Sequence, residues 1–189
     1  MTDADLIHRC QTGDQAAWTQ LFHAYKDRIL KLACLVTRDQ QDAHDVTQET
    51  FLRLIKRIRT FDETRASFDT WLYAIVMNLA RDHLRRKKRL PLAWDQSIHG
   101  ELIGPLAMQP ENLSLNHEWQ RTIWHAVNAL KEKQRMVVVL RYYLDLSCAE
   151  IADVLGCAEG TVHSRLHYAR LALEQELGEH VNELVWAPA

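Results

Sequence analysis

Two stretches of this 189-residue chain gather side chains suited to a polyanion. The run Arg81-Asp82-His83-Leu84-Arg85-Arg86-Lys87-Lys88-Arg89 could neutralise several phosphates with salt-dependent affinity. A solvated helix end explains the same run equally well, because cations favour a helix C-terminus. Further on, Thr161, Ser164 and Tyr168 face away from the apolar stripe Val162, Leu166, Ala169 and Leu173, with Arg165 and His167 at the edges of that outer face. Short polar side chains on an outer face suit groove entry, where a merely solvated face more often carries Glu and Lys. Cys148, Cys157, His163 and His167 are metal-ligating types, but their C-x8-C-x5-H-x3-H spacing matches no compact zinc module, and packing explains them. There is no glycine-rich phosphate loop, HExxH or GxSxG, so neither catalysis nor a cofactor nor a metal is expected.

The net charge of -2 hides a strong asymmetry. Residues 49–90 hold 11 Lys/Arg against 5 Asp/Glu, whereas residues 1–48 hold 5 against 7 and residues 91–189 hold 7 against 13. Basic charge is therefore concentrated in one stretch, the only one of the three with a net positive balance. Gly (6) and Pro (4) are scarce, which disfavours turn-rich β architectures. The strongest charge-free apolar stretch, Thr70 to Ala80, is far short of the roughly 20 residues a membrane span needs, and the acidic start MTDADLIHRC has no apolar leader core. A cytoplasmic protein with no membrane insertion is expected. Its four cysteines form no CxxC pair, and reduced thiols are the default there.

The elements that must position these groups read as helices. From Asp14 to Val36, apolar residues including Trp18, Leu21, Phe22, Tyr25, Ile29 and Leu32 recur at helical spacing. A second helix spans about Asp42 to Ile58, with Ala43, Val46, Phe51, Leu54, Ile55 and Ile58 as its buried stripe and Asp42, Asp45, Gln48, Glu49 and Arg53 left polar. A third runs from Phe68 to about Lys88 on a core stripe of Phe68, Leu72, Ile75 and Leu79; Trp71, Ala74, Asn78, Arg81 and Arg85 form an adjoining flank. Pro91, Pro105 and Pro110 with Gly100 and Gly104 mark a linker. Helical pattern resumes near Ser114, with Trp119, Ile123, Ala126, Val127 and Leu130 on one face, and again from Lys131 to Tyr143; Val137-Val138-Val139 is kept helical because no alternating partner segment lies nearby. Ser147 and Glu150 make a capping box, Gly156 supplies a left-handed reversal, and a further helix starts near Glu159. Helix, glycine turn, helix predicts a helix-turn-helix, with an ordinary helical hairpin as the alternative. The fold class is all-α: two small helical domains on a flexible linker, the C-terminal one carrying the helix-turn-helix.

Three segments resemble one family. Asp42-Ala43-His44-Asp45-Val46-Thr47-Gln48-Glu49-Thr50-Phe51-Leu52-Arg53 is similar to the second conserved region of sigma-70 family initiation factors. Phe68 to Ile75, continuing through Asn78 to Arg86, resembles their promoter-melting and minus-10 helix. Leu146-Ser147, Glu150 to Ala152, Leu155-Gly156, Gly160 to Val162 and Ser164 to His167 resemble the fourth region, which binds the minus-35 element. Order, spacing and length resemble those of the extracytoplasmic function group of that family.

The resemblance implies region 2 over residues 1–90, a linker over 91–115, region 4 over 116–178 and a tail over 179–189. It implies a sigma factor that directs core RNA polymerase to promoters and helps open the minus-10 element, in a stress or environmental response under an anti-sigma factor. The partners would be promoter DNA and the polymerase core, through its largest and second-largest subunits. Asp42, Asp45, Gln48 and Glu49 match the polymerase-docking positions; Phe61, Asn78, Arg81, Arg85 and Arg86 match the minus-10 contacts; Thr161, His163, Ser164, Arg165, His167 and Tyr168 match the minus-35 reader. Trp71 is assigned to the core. In the linker, Asp95, Glu101 and Glu111 fit the family's nucleic-acid mimicry in the RNA exit path, and an acidic tether fits equally. This chain departs from the family at His163 and Tyr168, often Lys or Arg, and at Ala158, often a capping Ser. Protonation of His163 is expected to strengthen promoter binding below about pH 6.5. A helix-turn-helix regulator acting alone on duplex DNA is the alternative.

Overall fold

The computed structural model describes residues 3–89 and 117–178. The linker prolines, Asp95, Glu101, Glu111 and the tail with Val185-Trp186 lie outside them, as does the side chain of Trp119. Among the described residues there are α-helices and one 3-10 turn but no strand, in two compact units, Met1–Pro91 and Leu92–Ala189.

The first unit comprises α1 (Asp3–Thr12), α2 (Gln15–Thr37), α3 (Gln40–Arg57), the 3-10 turn Ile58–Thr60 and α4 (Phe68–Lys87). Helix α1 was not anticipated: it is one short helix with only Ile7 and Cys10 buried, too few apolar positions to establish a period. It turns into α2 through Gly13 at φ 91° and Asp14, whose carboxylate accepts from the amides of Ala16 (2.8 Å) and Ala17 (3.2 Å) and pairs with Arg9 at 2.7 Å. The guanidinium of Arg9, then the Ala17 amide, hold the Asp14 carboxyl below its ordinary range.

Two residues of the expected apolar stripes face out. Along α3 and into the turn after it, Ala43, Val46, Leu54 and Ile58 are buried, but Ile55 is 59% exposed and Phe51 half-buried. Thr50 takes the inward slot between Val46 and Leu54, which it can occupy dry because its hydroxyl donates to the Val46 carbonyl at 2.7 Å. Phe22 of α2, also exposed, packs on Phe51 with ring centroids 4.8 Å apart. Helix α4 is the centre of the unit. Phe68, Leu72, Ile75 and Leu79 are buried as the spacing predicts, and so are Tyr73, Val76, Met77 and Ala80. Ser67 caps its start by accepting from the Thr70 amide at 3.1 Å. Asp69 in the first turn accepts from Tyr25 (2.9 Å) and pairs with Arg28 (3.1 Å), fastening α4 to α2.

The second unit comprises α5 (His117–Ala129), α6 (Glu132–Tyr142), α7 (Cys148–Leu155) and α8 (Glu159–Leu177). The valines at 137, 138 and 139 are helical and all buried, so enclosure on several sides overrides their strand propensity. Arg135 is also buried, donating to the Leu130 carbonyl at 3.2 Å. Both halves of the capping box form: Ser147 Oγ accepts from the Glu150 amide (3.2 Å), and the Glu150 carboxylate accepts from the Ser147 amide (2.8 Å). The Ser147 hydroxyl and amide together hold the Glu150 carboxyl below its ordinary range. Gly156 sits at φ 61°, and α8 buries Val162, Leu166, Ala169 and Leu173.

Candidate nucleic-acid and docking interfaces

The acidic face of α3 comes first in the chain. Asp45, Gln48 and Glu49 are exposed beside Leu52 and line one wall of a groove of about 520 Å³; His83 and Arg86 of α4 stand on the other wall. Carboxylates, an amide and an apolar side chain on one ridge can pair with a basic partner helix. Asp42 does not share that ridge, which corrects its expected place on the polar side. It sits one turn before buried Val46 on the same inward row, and is itself buried. There it meets His83 Nε2 at 3.1 Å and Lys87 Nζ at 3.2 Å, while Lys87 also donates to Asp39 at 3.2 Å. Burial alone would raise the Asp39 carboxyl, but the Asp42 amide and Lys87 outweigh it and hold the group below its ordinary range. Burial pulls Lys87 down, and the two aspartates reverse this to leave it raised. One cation of the basic run is thus a strap between α3 and α4.

The flank of α4 is the second surface. Asn78 and Arg85 are exposed and Arg81 half-buried, all on the side expected from the 100° step. Arg81 donates to the Asn78 carboxamide, and Arg85 pairs with Asp82 at 3.0 Å. Arg86 lies on the other flank, in the groove with Asp45 and Glu49. Phe61 is half-buried: its ring meets Trp71 at 5.2 Å and Phe68 at 5.5 Å, and Phe68 meets Tyr25 at 5.4 Å. Trp71 is half-buried too, so it bridges the core aromatics and the loop rather than sitting wholly within the core. Gln11 of α1 donates to the carbonyls of Ile58 (3.0 Å) and Phe61 (3.1 Å), and Asp62 accepts from Thr64 at 3.0 Å, so the loop entry is held from both sides. Nothing local marks Gln11 for this role, because its targets lie about fifty residues away.

The outer face of α8 is the third. His163, Ser164, His167 and Tyr168 are exposed, Tyr168 to 60%; Thr161 and Arg165 are half-buried. Ser164 donates to the Thr161 carbonyl at 3.0 Å, Arg165 reaches back to Cys157 Sγ at 3.8 Å, and the rings of His167 and Tyr168 meet at 5.6 Å. Ala158 is the N-cap and offers no side-chain acceptor. Glu159 places its carboxylate 3.6 Å from His163 Nε2, an i, i+4 neighbour that the sequence reading did not weigh. His163 Nδ1 lies 3.9 Å from Cys148 Sγ. Among the described residues no group of three or more His, Cys, Asp or Glu is gathered as a metal ion requires, and no helix is long and apolar enough to cross a membrane.

Each family model falls within one unit. Residues 21–90 match "Sigma-70 region 2" and residues 120–173 match "Sigma-70, region 4". The chain is 34% identical over 182 residues to the ECF RNA polymerase sigma factor SigW of Bacillus subtilis, spanning 90% of this chain and 94% of that protein. It is 35% identical over 185 residues to the ECF RNA polymerase sigma-E factor of Escherichia coli K12, spanning 94% and 95%. A solved structure of the sigma factor RpoE in complex with the anti-sigma factor NepR, from Bartonella quintana, shares the fold at a TM-score of 0.64 and 24% identity, over 85% of this chain and 96% of that one.

Proposed function

Since this chain belongs to the extracytoplasmic function group of the sigma-70 RNA polymerase sigma factors, we propose the following division of labour between its two units. As a sigma factor, the protein binds core RNA polymerase and brings it to promoter DNA. In our reading, Asp45, Gln48 and Glu49 dock the first unit, residues 1–90, on the polymerase largest subunit; Asp42 supports them from behind by fixing α3 to α4. Asn78, Arg81 and Arg85, with the Phe61 loop, take the melted minus-10 strand: a carboxamide reads a base edge, aromatic rings accept stacking and guanidinium groups meet phosphates. Arg86 steadies the docking groove from the α4 side. In the second unit, residues 116–178, Thr161, His163, Ser164, Arg165, His167 and Tyr168 enter the major groove of the minus-35 element.

One observation carries this reading: two polar faces of nucleic-acid chemistry sit on separate compact units, and among the described residues only the first is flanked by an aromatic loop. Duplex reading by a helix-turn-helix needs no such loop, whereas a melted strand does. A regulator acting alone on duplex DNA is accordingly not favoured. The family works in initiation without catalysing a reaction of its own, and we assign this chain no catalytic residue and no cofactor. Its place is the cytoplasm, with the polymerase and the promoter. An anti-sigma factor that holds it in reserve until a stress signal arrives is supported by the fold shared with the NepR-bound sigma factor. Run-off transcription with purified core polymerase on a genomic library tests the whole reading. Initiation at a common promoter sequence is expected; duplex binding that persists without any core-dependent initiation would overturn it.

A further inference from the structure

We propose that Cys148 is a thiol-modification site that gates the outer face of α8, with His163 as its proton acceptor. The four cysteines are not equivalent: Cys10 and Cys34 are buried, and burial pushes the Cys34 thiol up to about 11, so neither offers a thiolate near neutrality. Cys148 and Cys157 are half-buried. Among the described residues only Cys148 meets an imidazole base: its Sγ lies 3.9 Å from His163 Nδ1, whose Nε2 faces the Glu159 carboxylate at 3.6 Å. Nucleophile, base and orienting carboxylate stand in sequence, the order by which activated thiols are built. The carboxylate favours the Nε2-H tautomer, which leaves the Nδ1 lone pair toward sulfur. The neighbouring phenol of Tyr142, pushed up by burial to about 12, stays neutral and does not compete for the proton. Cys157 instead faces the Arg165 guanidinium, which has no proton-accepting atom.

The co-reactant is a low-molecular-weight disulfide. His163 takes the Cys148 proton, the thiolate attacks one sulfur of the disulfide, and that S-S bond breaks as the Cys148 S-S bond forms. The departing thiolate receives the proton from His163, so the Cys148 sulfur is oxidised and the released sulfur reduced. The adduct sits against His163 on the exposed side of α8, where it occupies the space a DNA backbone would take, and an anionic adduct repels the phosphates. Excess thiol reverses it.

This gate rests on the proposed minus-35 reading, whereas the reactivity of the thiol does not. The test incubates the full reduced chain with glutathione disulfide, follows each cysteine by peptide mass, and measures binding to a minus-35 duplex before and after. Cys148 is expected to react ahead of Cys157, and H163Q to slow it on the order of tenfold or more, as loss of a positioned base does. Modified wild type is expected to lose about tenfold or more in duplex affinity, the scale of a lost base contact, and to recover it with thiol, while C148S binds throughout. Faster reaction at Cys157, or an unchanged rate in H163Q, overturns the activated thiol. A modified Cys148 that binds duplex as before overturns the gate. A reactive Cys148 in a chain that binds no duplex in either state overturns the minus-35 reading and the gate built on it, and leaves the thiol assignment standing.

Discussion

The two units place their polar faces differently with respect to their cores. In the first, α4 is at once the most enclosed helix and the carrier of Asn78, Arg81 and Arg85, and its charged groups are already engaged: Arg81 with Asn78, Arg85 with Asp82, Lys87 with Asp39 and Asp42. In the second, α8 buries one side and leaves His163, Ser164, His167 and Tyr168 on the other. Core and surface are therefore coupled in the first unit and separable in the second. A helix that must open a duplex benefits from side chains held by the fold, because little ordering remains to be done on binding. A helix that reads a preformed groove needs only to be presented.

The largest expected break in this comparison is Leu72→Ala. Leu72 is fully buried beneath the α4 flank, and its truncation should cost about 2–5 kcal/mol of the first unit's stability. Denaturant unfolding should show this loss together with failure of promoter opening. The counterpart in the second unit is Arg165→Ala, expected to weaken minus-35 duplex binding by about 1–3 kcal/mol while thermal unfolding barely moves. An equal fall in stability there would erase the proposed contrast. Ala158→Ser supplies the missing acceptor at the α8 N-cap and should stabilise the second unit by about 0.5–2 kcal/mol, read as a higher denaturant midpoint with unchanged slope.

Acid sharpens the comparison further. Because the folded-state Asp39 carboxyl titrates below its ordinary value of 3.8, its contribution is fully present above that value and is lost as pH falls through the lower, folded one. The acid limb of the first unit should therefore shrink in Asp39→Asn, and an unchanged pH profile would show that the Lys87 strap does not matter.

What could be read in advance follows from the range of each interaction. The helix-turn-helix was legible because its determinants, Ser147, Glu150 and Gly156, act within a few residues of one another. The outward positions of Asn78 and Arg85 were legible because the helical step fixes them relative to Leu72 and Leu79. Asp42 was misplaced because residue type was weighed above register: its row is that of Val46, and a carboxylate can occupy it once Lys87 and His83 arrive from α4. Ile55 was misplaced for the converse reason, since Thr50 could fill the inward slot by satisfying its own hydroxyl.

The amino-acid sequence by itself determined the helices from α2 onward, the capping box and glycine stop of α7, the apolar stripes of α4 and α8 and the order of the two regions, since each depends on contacts within a turn or two of chain. Tertiary structure alone decided which polar groups are spent internally. The strap of Asp39 and Asp42 to Lys87, the hold of Gln11 on the Phe61 loop and the meeting of Cys148 with His163 join residues from different helices. No local periodicity encodes such pairs, because they exist only once packing has set the distances between helices.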